Sequence, residues 1–194
     1  MASTTSPVPQ PQQDPDRVDQ IRMAAQAYGL ATAQHAQPEL LRPLTFLLAQ
    51  VRQSLGMDVV FVSRFADKER VFEVVSAEGE AASRIAPGVS DPLLDTYCQR
   101  IVDGRLPAVI PDTSASPEAA SLQITRALNI HAYLSAPVVL PNGHVFGTVC
   151  CISHRIRPDL REIDAKALAS VAEAVAASVT NGGTLRYAAW TPPP

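Results

Sequence analysis

Small and hydrophobic residues dominate two runs on either side of Pro141-Asn142-Gly143, within residues 132–152. Asn-Gly between β-rich runs favours a type I′ hairpin turn, because both central residues of that turn need positive φ. With Asn142 and Gly143 as the turn, alternation makes one face wholly apolar, with the cross-strand pairs Leu134–Cys151, Ala136–Val149, Val138–Gly147 and Leu140–Val145. The other face is mixed, with the pairs Tyr133–Ile152, Ser135–Cys150, Pro137–Thr148 and Val139–Phe146. A sheet with so little charge needs cover on both faces, which predicts three layers.

Helical spacing of apolar residues predicts two helices before this hairpin and one after it. The first spans about 15–34 behind the start signal Asp14-Pro15, and the second spans about 39–55 with Gly56 as its C-terminal cap. The last runs from Asp159 to about 180, where Asp159 and Glu162 form a capping-box-like pair and residues 181–183 end the helix. One stripe of this last helix consists of alanines, namely Ala165, Ala169, Ala172 and Ala176.

The chain between these helices alternates between β-rich and helical patterns. Its predicted elements are a hairpin of strands 58–65 and 70–77 joined at 66–69, a helix from Ser90-Asp91-Pro92 to about Val102, a strand at 106–110, a turn at 111–117 and a short helix at 118–128. This mixed order predicts an α+β fold.

Length and composition limit the number of domains. A chain of 194 residues with 46% hydrophobic content can bury one good core, so one domain with appendages is expected. Residues 1–14 are rich in Pro and Gln and are predicted to be disordered, 15–37 form an N-terminal helix, 38–181 form the domain, and 182–194 are a flexible C-terminus.

Charge and cysteine content narrow the possible partners and the compartment. The net charge is −3 and the 16 Lys and Arg residues are scattered, so nucleic acid is not expected as a partner. No apolar run reaches the roughly 18 residues of a membrane span, and the N-terminus does not resemble a signal peptide. Three cysteines do not make a disulfide framework and suit a reducing compartment, which favours a cytoplasmic location.

Three stretches resemble a GAF domain, a sensory module related in shape to PAS domains. They are DTYCQRIVDGRLPAVIPDT (Asp95–Thr113), AYLSAPVVLPNGHVFGTVCCI (Ala132–Ile152) and the helix after Pro158. The resemblance implies an antiparallel sheet of five or six strands, with the terminal helices on one face and a ligand pocket under short helices on the other. The residues expected to line that pocket are Tyr97, Cys98, Asp112, Tyr133, Ser135, Thr148 and Cys150.

Cysteines and histidines are the candidate residues for cofactor and metal binding. The Cys98 thiol could ligate haem, carry a bilin or act as a redox nucleophile, or it could be a small buried hydrophobe. Bilin-binding relatives usually carry His after the attachment Cys, and Gln99 stands there in this chain, so no covalent cofactor is expected. The four histidines lie at no metal-ligand spacing, so no metal is expected, and His131 alone could reach the pocket rim as a haem ligand.

Two further alternatives concern polar and thiol residues. Asp112 either caps the backbone of its turn or directs its carboxylate into the pocket. Cys150 and Cys151 are neighbours in a strand and point to opposite faces, so a disulfide between them is not expected. Cyclic-nucleotide-binding relatives carry an Asn-Lys-Phe-Asp/Glu-type signature, which this chain lacks.

The sequence favours a non-enzymatic, cytoplasmic regulator of bacterial type that senses a small molecule. It would signal through its terminal helices, as a homodimer joined at the alanine stripe, to a downstream output protein. Alternatively, helix 15–34 covers the alanines within a monomer. Two other functions stay open, namely a dimerisation module without ligand and a thiol-dependent enzyme similar to methionine sulfoxide reductases of this fold.

Overall fold

The computed structural model describes residues 15–33, 41–78 and 85–180. The expectations for residues 1–14, for the helix end at 181–183 and for the tail 182–194 lie outside these ranges. The elements in chain order are α1 (Pro15–Ala33), α2 (Leu41–Leu55), β1 (Val59–Ala66), β2 (Glu69–Ala77), β3 (Ser90–Pro92), α3 (Tyr97–Val102), β4 (Val109–Ile110), α4 (Pro117–Ser121), α5 (Gln123–Ala127), β5 (Ala132–Val139), β6 (Val145–Ser153) and α6 (Glu162–Thr180).

The strands form one antiparallel sheet in the order β3-β2-β1-β6-β5-β4. Two buried clusters lie on its two faces. The first joins the aliphatic face of β5 and β6 to the apolar sides of α1, α2 and α6. The second joins the opposite face, through Tyr133 and Cys150, to α3 and α4. The predicted α+β architecture with three layers is confirmed.

The register of the central hairpin is as predicted, from the pair Tyr133–Ile152 to the pair Val138–Gly147. Beyond Val138 the register shifts, and Val139 pairs with Val145 rather than with Phe146. The predicted type I′ turn is also wrong. The Gly143 amide donates to the Leu140 carbonyl at 2.8 Å, and Gly143 has a φ of 81° while Asn142 is not at positive φ. Proline fixes φ near −65°, which suits the second position of a type I turn, so the turn starts at Leu140 and Gly143 forms the bulge after it.

Between β2 and β5 the structure departs from three predicted elements. Ser90–Pro92 does not start a helix but pairs as β3 with Glu69–Val71. The helix begins only at Tyr97, where the Thr96 hydroxyl accepts from the Gln99 amide at 3.3 Å. The predicted strand 106–110 shrinks to Val109–Ile110, and the predicted helix 118–128 breaks at Leu122, which has extended backbone.

The start of α6 is capped by a different carboxylate from the one predicted. Asp164 reaches back and accepts from the Arg161 amide at 2.9 Å, and the helix begins at Glu162. The predicted cap, Asp159, instead accepts from the Arg157 Nε at 2.9 Å and from the Arg17 Nη1 at 3.0 Å. Two arginines compete successfully for Asp159 because charge-assisted hydrogen bonds are stronger than bonds to a neutral amide.

Helix α1 packs along α6 of the same chain, and the two helices run parallel. Arg17 forms two hydrogen bonds with Asp164 near the start of both helices, and the Ser178 hydroxyl donates to Thr32 near their ends. Most of the alanine stripe is buried in the cluster that also holds the apolar side of α1, namely Val18, Ile21, Ala25 and Tyr28. The predicted dimer seam is therefore occupied within the chain, as the intramolecular alternative expects.

Among the helices of the described residues, none is both long and apolar enough to cross a bilayer.

Candidate functional site

Five of the predicted site residues meet between the sheet and α3. Strand alternation turns Tyr133 and Ser135 of β5, and Thr148 and Cys150 of β6, toward the α3 side of the sheet. The short helix α3 places Cys98 over them, and Cys98 is fully buried. The structure thus gathers side chains that lie up to 52 residues apart in the sequence.

The five side chains contact one another through thiol and hydroxyl groups. The sulfur of Cys98 lies 3.7 Å from that of Cys150 and 3.4 Å from the Tyr133 hydroxyl. The Cys150 sulfur lies 3.1 Å from the Thr148 hydroxyl and 3.2 Å from the Ser135 hydroxyl. We call Cys98, Tyr133, Ser135, Thr148 and Cys150, with Ser63, the polar cluster.

Ser63 belongs to the polar cluster although sequence patterns did not single it out. Its hydroxyl lies 2.9 Å from that of Thr148 and 4.0 Å from the Cys98 sulfur. The register of the β1–β2 pairing shifts between Val62 and Ser63. Serine in a β-rich run does signal a polar group on a sheet face, but only the pairing of Ser63 with Thr148 shows which groups it joins.

Tyr97 and Asp112 occupy different positions from the other predicted residues. The Tyr97 ring stacks on the Tyr133 ring with centroids 4.4 Å apart, while its hydroxyl lies 2.6 Å from that of Thr125. Asp112 stays at the surface and does not point into the polar cluster. Its carboxylate accepts from the Ser114 amide and hydroxyl, at 2.9 and 2.6 Å, which lowers the pKa of Asp112. Asp112 thus caps its turn because the nearest donors are local.

Arg70 is the second residue that sequence reasoning missed. Its side chain is 2% exposed, and its guanidinium lies 4.0 Å from the centroid of the Phe72 ring and pairs with Asp91. Within the described residues, the Nε of Arg70 has no hydrogen-bond partner. Alternation of Arg70 with Phe72 indicates an inward arginine, but the sequence pattern predicts a helix at its partner Asp91 rather than the paired edge strand.

The environment shifts the pKa values of the two neighbouring thiols, Cys98 and Cys150, in opposite directions. Burial opposes ionisation of Cys98, but hydrogen bonding with Cys150 and the positive charge of Arg70 together hold the pKa of Cys98 well below its usual range. Burial and the neighbouring Cys98 raise the pKa of Cys150. Burial also raises the pKa of the Tyr133 hydroxyl, and the two thiols add to that shift. The two sulfurs therefore differ in acidity, and Cys98 is the more acidic of the two.

The polar cluster is closed in this structure, whereas an open pocket was expected. Cys98, Thr148 and Cys150 are 0% exposed, and Tyr133 and Ser135 are 1% exposed. These groups therefore expose almost no surface to solvent. An open groove of about 620 Å³ lies elsewhere, between α1 and α2, where Met23 and Phe46 are exposed. Among the described residues, no group of three or more His, Cys, Asp or Glu is placed to hold a metal ion.

The chain matches a known protein family and solved structures of similar architecture. Residues 39–179 match the family model described as GAF domain. Among curated proteins, none matches the chain in sequence.

Solved structures match over most of the chain. The phycocyanobilin-bound GAF domain from a cyanobacterial phytochrome has a TM-score of 0.65 at 16% identity, covering 82% of this chain and 93% of its own. The free methionine-R-sulfoxide reductase from Neisseria meningitidis, solved with its substrate, has a TM-score of 0.66 at 15% identity, covering 87% and 93%. The GAF domain of a Coxiella burnetii phosphoenolpyruvate-protein phosphotransferase has a TM-score of 0.66 at 13% identity, covering 85% and 95%. At such low identity these likenesses describe the fold.

Proposed function

Because the chain belongs to the GAF domain family, we propose that it is a non-enzymatic sensor that binds a small molecule between the sheet and α3. It transmits binding through its terminal helices and acts as a homodimer. The observation that carries this proposal is the polar cluster, a group of hydroxyls and thiols buried under a helix of six residues.

The composition of this buried layer favours a binding role over a purely structural one. Apolar side chains surround the polar cluster, and its hydroxyls and thiols largely satisfy one another. A small ligand can replace such mutual hydrogen bonds, and a few placed polar groups in an apolar setting are typical of ligand pockets. The Nε of the buried Arg70 is a donor that has no hydrogen-bond acceptor among the described residues. This favours a ligand that carries an acceptor oxygen, such as a carboxylate.

Strand β6 supplies a short route from this site to the helices. Cys150 faces the polar cluster, and its neighbours Val149 and Cys151 face the opposite core, which α6 and α2 share. Packed interiors transmit small displacements because they contain few voids. Movement of β6 on ligand binding would therefore change the packing of the terminal helices.

The outer surface of α1 and α2 is the proposed dimer contact, since the alanine stripe is already covered. Met23, Leu30 and Phe46 are 60%, 72% and 66% exposed, and Met23 and Phe46 line the groove between the two helices. Large exposed apolar side chains grouped in this way mark interaction surfaces. A second copy could cover the groove through the same surface in a two-fold arrangement.

Ligand binding is tested with thermal-shift measurements against a panel of small carboxylates, amino acids and nucleotides. We expect at least one compound to raise the Tm of the wild type, and Thr148→Val to reduce that shift because the valine keeps the shape and removes the hydroxyl. Ser178→Ala is the matched control, since it removes a buried hydroxyl between α1 and α6, far from the polar cluster.

Three results would contradict the proposal. The first is a wild-type Tm that no compound changes, and the second is a Tm shift that Thr148→Val retains in full. The third is reduction of free methionine sulfoxide at the expense of a dithiol, because turnover would make the chain an enzyme. Native mass spectrometry of freshly purified protein reports any bound molecule and the oligomeric state in the same experiment.

A further inference from the structure

Two of the three cysteines lie close enough to form a disulfide, and the proposed sensing role does not require one. Cys98 on α3 and Cys150 on β6 have their sulfurs 3.7 Å apart and no disulfide between them. A disulfide needs a sulfur separation of about 2.05 Å, so an approach of less than about 2 Å would form it. Cys151 faces the other core and belongs to the cluster under the terminal helices, so it cannot take part without rebuilding the sheet.

The surroundings of the pair give the two sulfurs different roles. The Cys98 sulfur lies within reach of the Tyr133 and Ser63 hydroxyls, and the positive charge of Arg70 acts on it. These groups stabilise a thiolate, which is the nucleophilic form of cysteine. Burial and the neighbouring Cys98 raise the pKa of Cys150, and its sulfur, 3.7 Å from that of Cys98, is placed to resolve an oxidised Cys98.

We infer that Cys98 and Cys150 are a redox modification site that hydroperoxides convert to a reversible intramolecular disulfide. The Cys98 thiolate attacks the terminal oxygen of the hydroperoxide, the O–O bond breaks, and the leaving alkoxide takes a proton to become an alcohol, or water from hydrogen peroxide. Cys98 is then a sulfenic acid. The Cys150 thiol attacks its sulfur, the S–O bond breaks, and water leaves with the Cys150 proton. Two thiols are thereby oxidised by two electrons, and a dithiol reductant reverses the reaction by exchange.

Burial of Cys98 and Cys150 determines which oxidants can reach them. Their position between α3 and β6 determines what a disulfide does to the fold. Both sulfurs are fully buried, so the oxidant enters when α3 opens locally, and hydrogen peroxide reacts faster than a bulky hydroperoxide such as cumene hydroperoxide. The disulfide then fastens α3 to β6 and holds closed the face that carries the polar cluster. Oxidation is therefore a second input, separate from ligand binding.

The test uses the reduced full chain, treated with hydrogen peroxide, then denatured, alkylated and mapped by mass spectrometry. We expect one linked peptide pair, Cys98 with Cys150, full alkylation of Cys151, and recovery of all three thiols after dithiothreitol. Cys151→Ser is the matched control and is expected to form the same link. Cys150→Ser is expected to accumulate a dimedone adduct at Cys98, because the resolving thiol is gone.

The wild-type map decides the question even if a variant fails to fold. Three alkylated cysteines after peroxide, a link that includes Cys151, or links only between chains would overturn the inference. Circular dichroism of each variant shows whether a missing link reflects lost chemistry or lost structure. A dimedone adduct at Cys151 in Cys150→Ser would also count against it.

Discussion

At the scale of single residues, one arginine holds the first helix to the last. Arg17 is bonded to Asp164 through two nitrogens and to Asp159 through a third contact, and the Asp164 side chain is 0% exposed. A buried carboxylate that loses its cation is costly because its charge stays in a poorly solvated position. The Arg17–Asp164 pair therefore contributes more to stability than a surface ion pair on the same helix does.

Arg17→Met is predicted to lower the free energy of unfolding by about 3 kcal/mol, because the buried Asp164 carboxyl group would lose its cationic partner. The control is Arg22→Met on the same helix, whose pairing with Asp19 is exposed at both ends. That change is predicted to cost less than about 0.5 kcal/mol. Urea unfolding followed by circular dichroism measures both variants, and equal losses would show that Asp164 does not depend on Arg17.

Asp159 makes the stability of the fold depend on pH in the acidic range. Hydrogen bonds from Arg157, and then from Arg17, hold the pKa of Asp159 well below its usual range. A depressed carboxyl pKa stabilises the fold above the unfolded pKa of about 3.9, and this contribution is lost as the pH falls through and below that value.

Asp159→Asn is predicted to be less stable than the wild type near neutral pH, by about 1 kcal/mol, because the amide has only one oxygen to accept from the arginines and carries no charge. The difference between the two proteins is predicted to shrink as the pH falls below about 4. Unfolding in urea across this pH range measures the difference. A constant difference would mean that Asp159 is not the titrating group, and the exposed Asp19→Asn serves as the control.

At the scale of elements, close approach of β6 to β1 depends on one glycine. A Cβ atom built on Gly147 would lie 1.9 Å from the Ser63 carbonyl oxygen and 2.9 Å from the Arg64 Cα. Both are backbone atoms of a central strand, so neither can move aside cheaply. Gly147 therefore fixes the strand pairing that also brings Ser63 to Thr148.

Gly147→Ala is predicted to destabilise the protein by about 3 kcal/mol or more, because β1 and β6 would have to separate. Gly29→Ala is the matched change, since nothing lies within 4 Å of that position on α1. Alanine favours helix over glycine by up to about 1 kcal/mol, so Gly29→Ala is predicted to be neutral or stabilising. Thermal unfolding of the two variants gives the comparison, and similar Tm values would contradict the close-approach argument.

At the scale of the whole molecule, the packing of α1 decides where a partner can bind. The alanine stripe of α6 is inside the fold, and Ala172 is 2% exposed, so charge placed there disrupts the monomer itself. The exposed apolar side chains of α1 and α2 are therefore the contact surface of the proposed dimer.

The double change Met23→Lys with Phe46→Lys is predicted to convert the proposed dimer to a folded monomer, because both side chains are exposed in the single chain. Leu94→Lys alters an equally exposed leucine away from these helices and is predicted to leave the dimer intact. Sedimentation velocity at micromolar concentration measures the mass. A monomeric wild type, or a doubly changed protein of unchanged mass, would rule out this interface.

The sequence alone determined the features that arise from local periodicity. Side chains alternate with a period of two along a strand, so the central hairpin showed which of its residues share a face, including Tyr133, Ser135, Thr148 and Cys150. Helical spacing likewise located α1, α2 and α6 to within a few residues. These signals need no knowledge of distant segments.

Only the tertiary structure decided the features that depend on long-range pairing. Ser90-Asp91-Pro92 carries a local helix-start signal, but the open edge of β2 pairs with it and makes it a strand. That pairing places Asp91 beside the buried Arg70, as the packing of α3 places Cys98 beside Cys150 and the packing of α1 covers the alanines of α6. Such contacts form because burial and hydrogen bonding across the whole fold outweigh local propensities of a few tenths of a kcal/mol per residue.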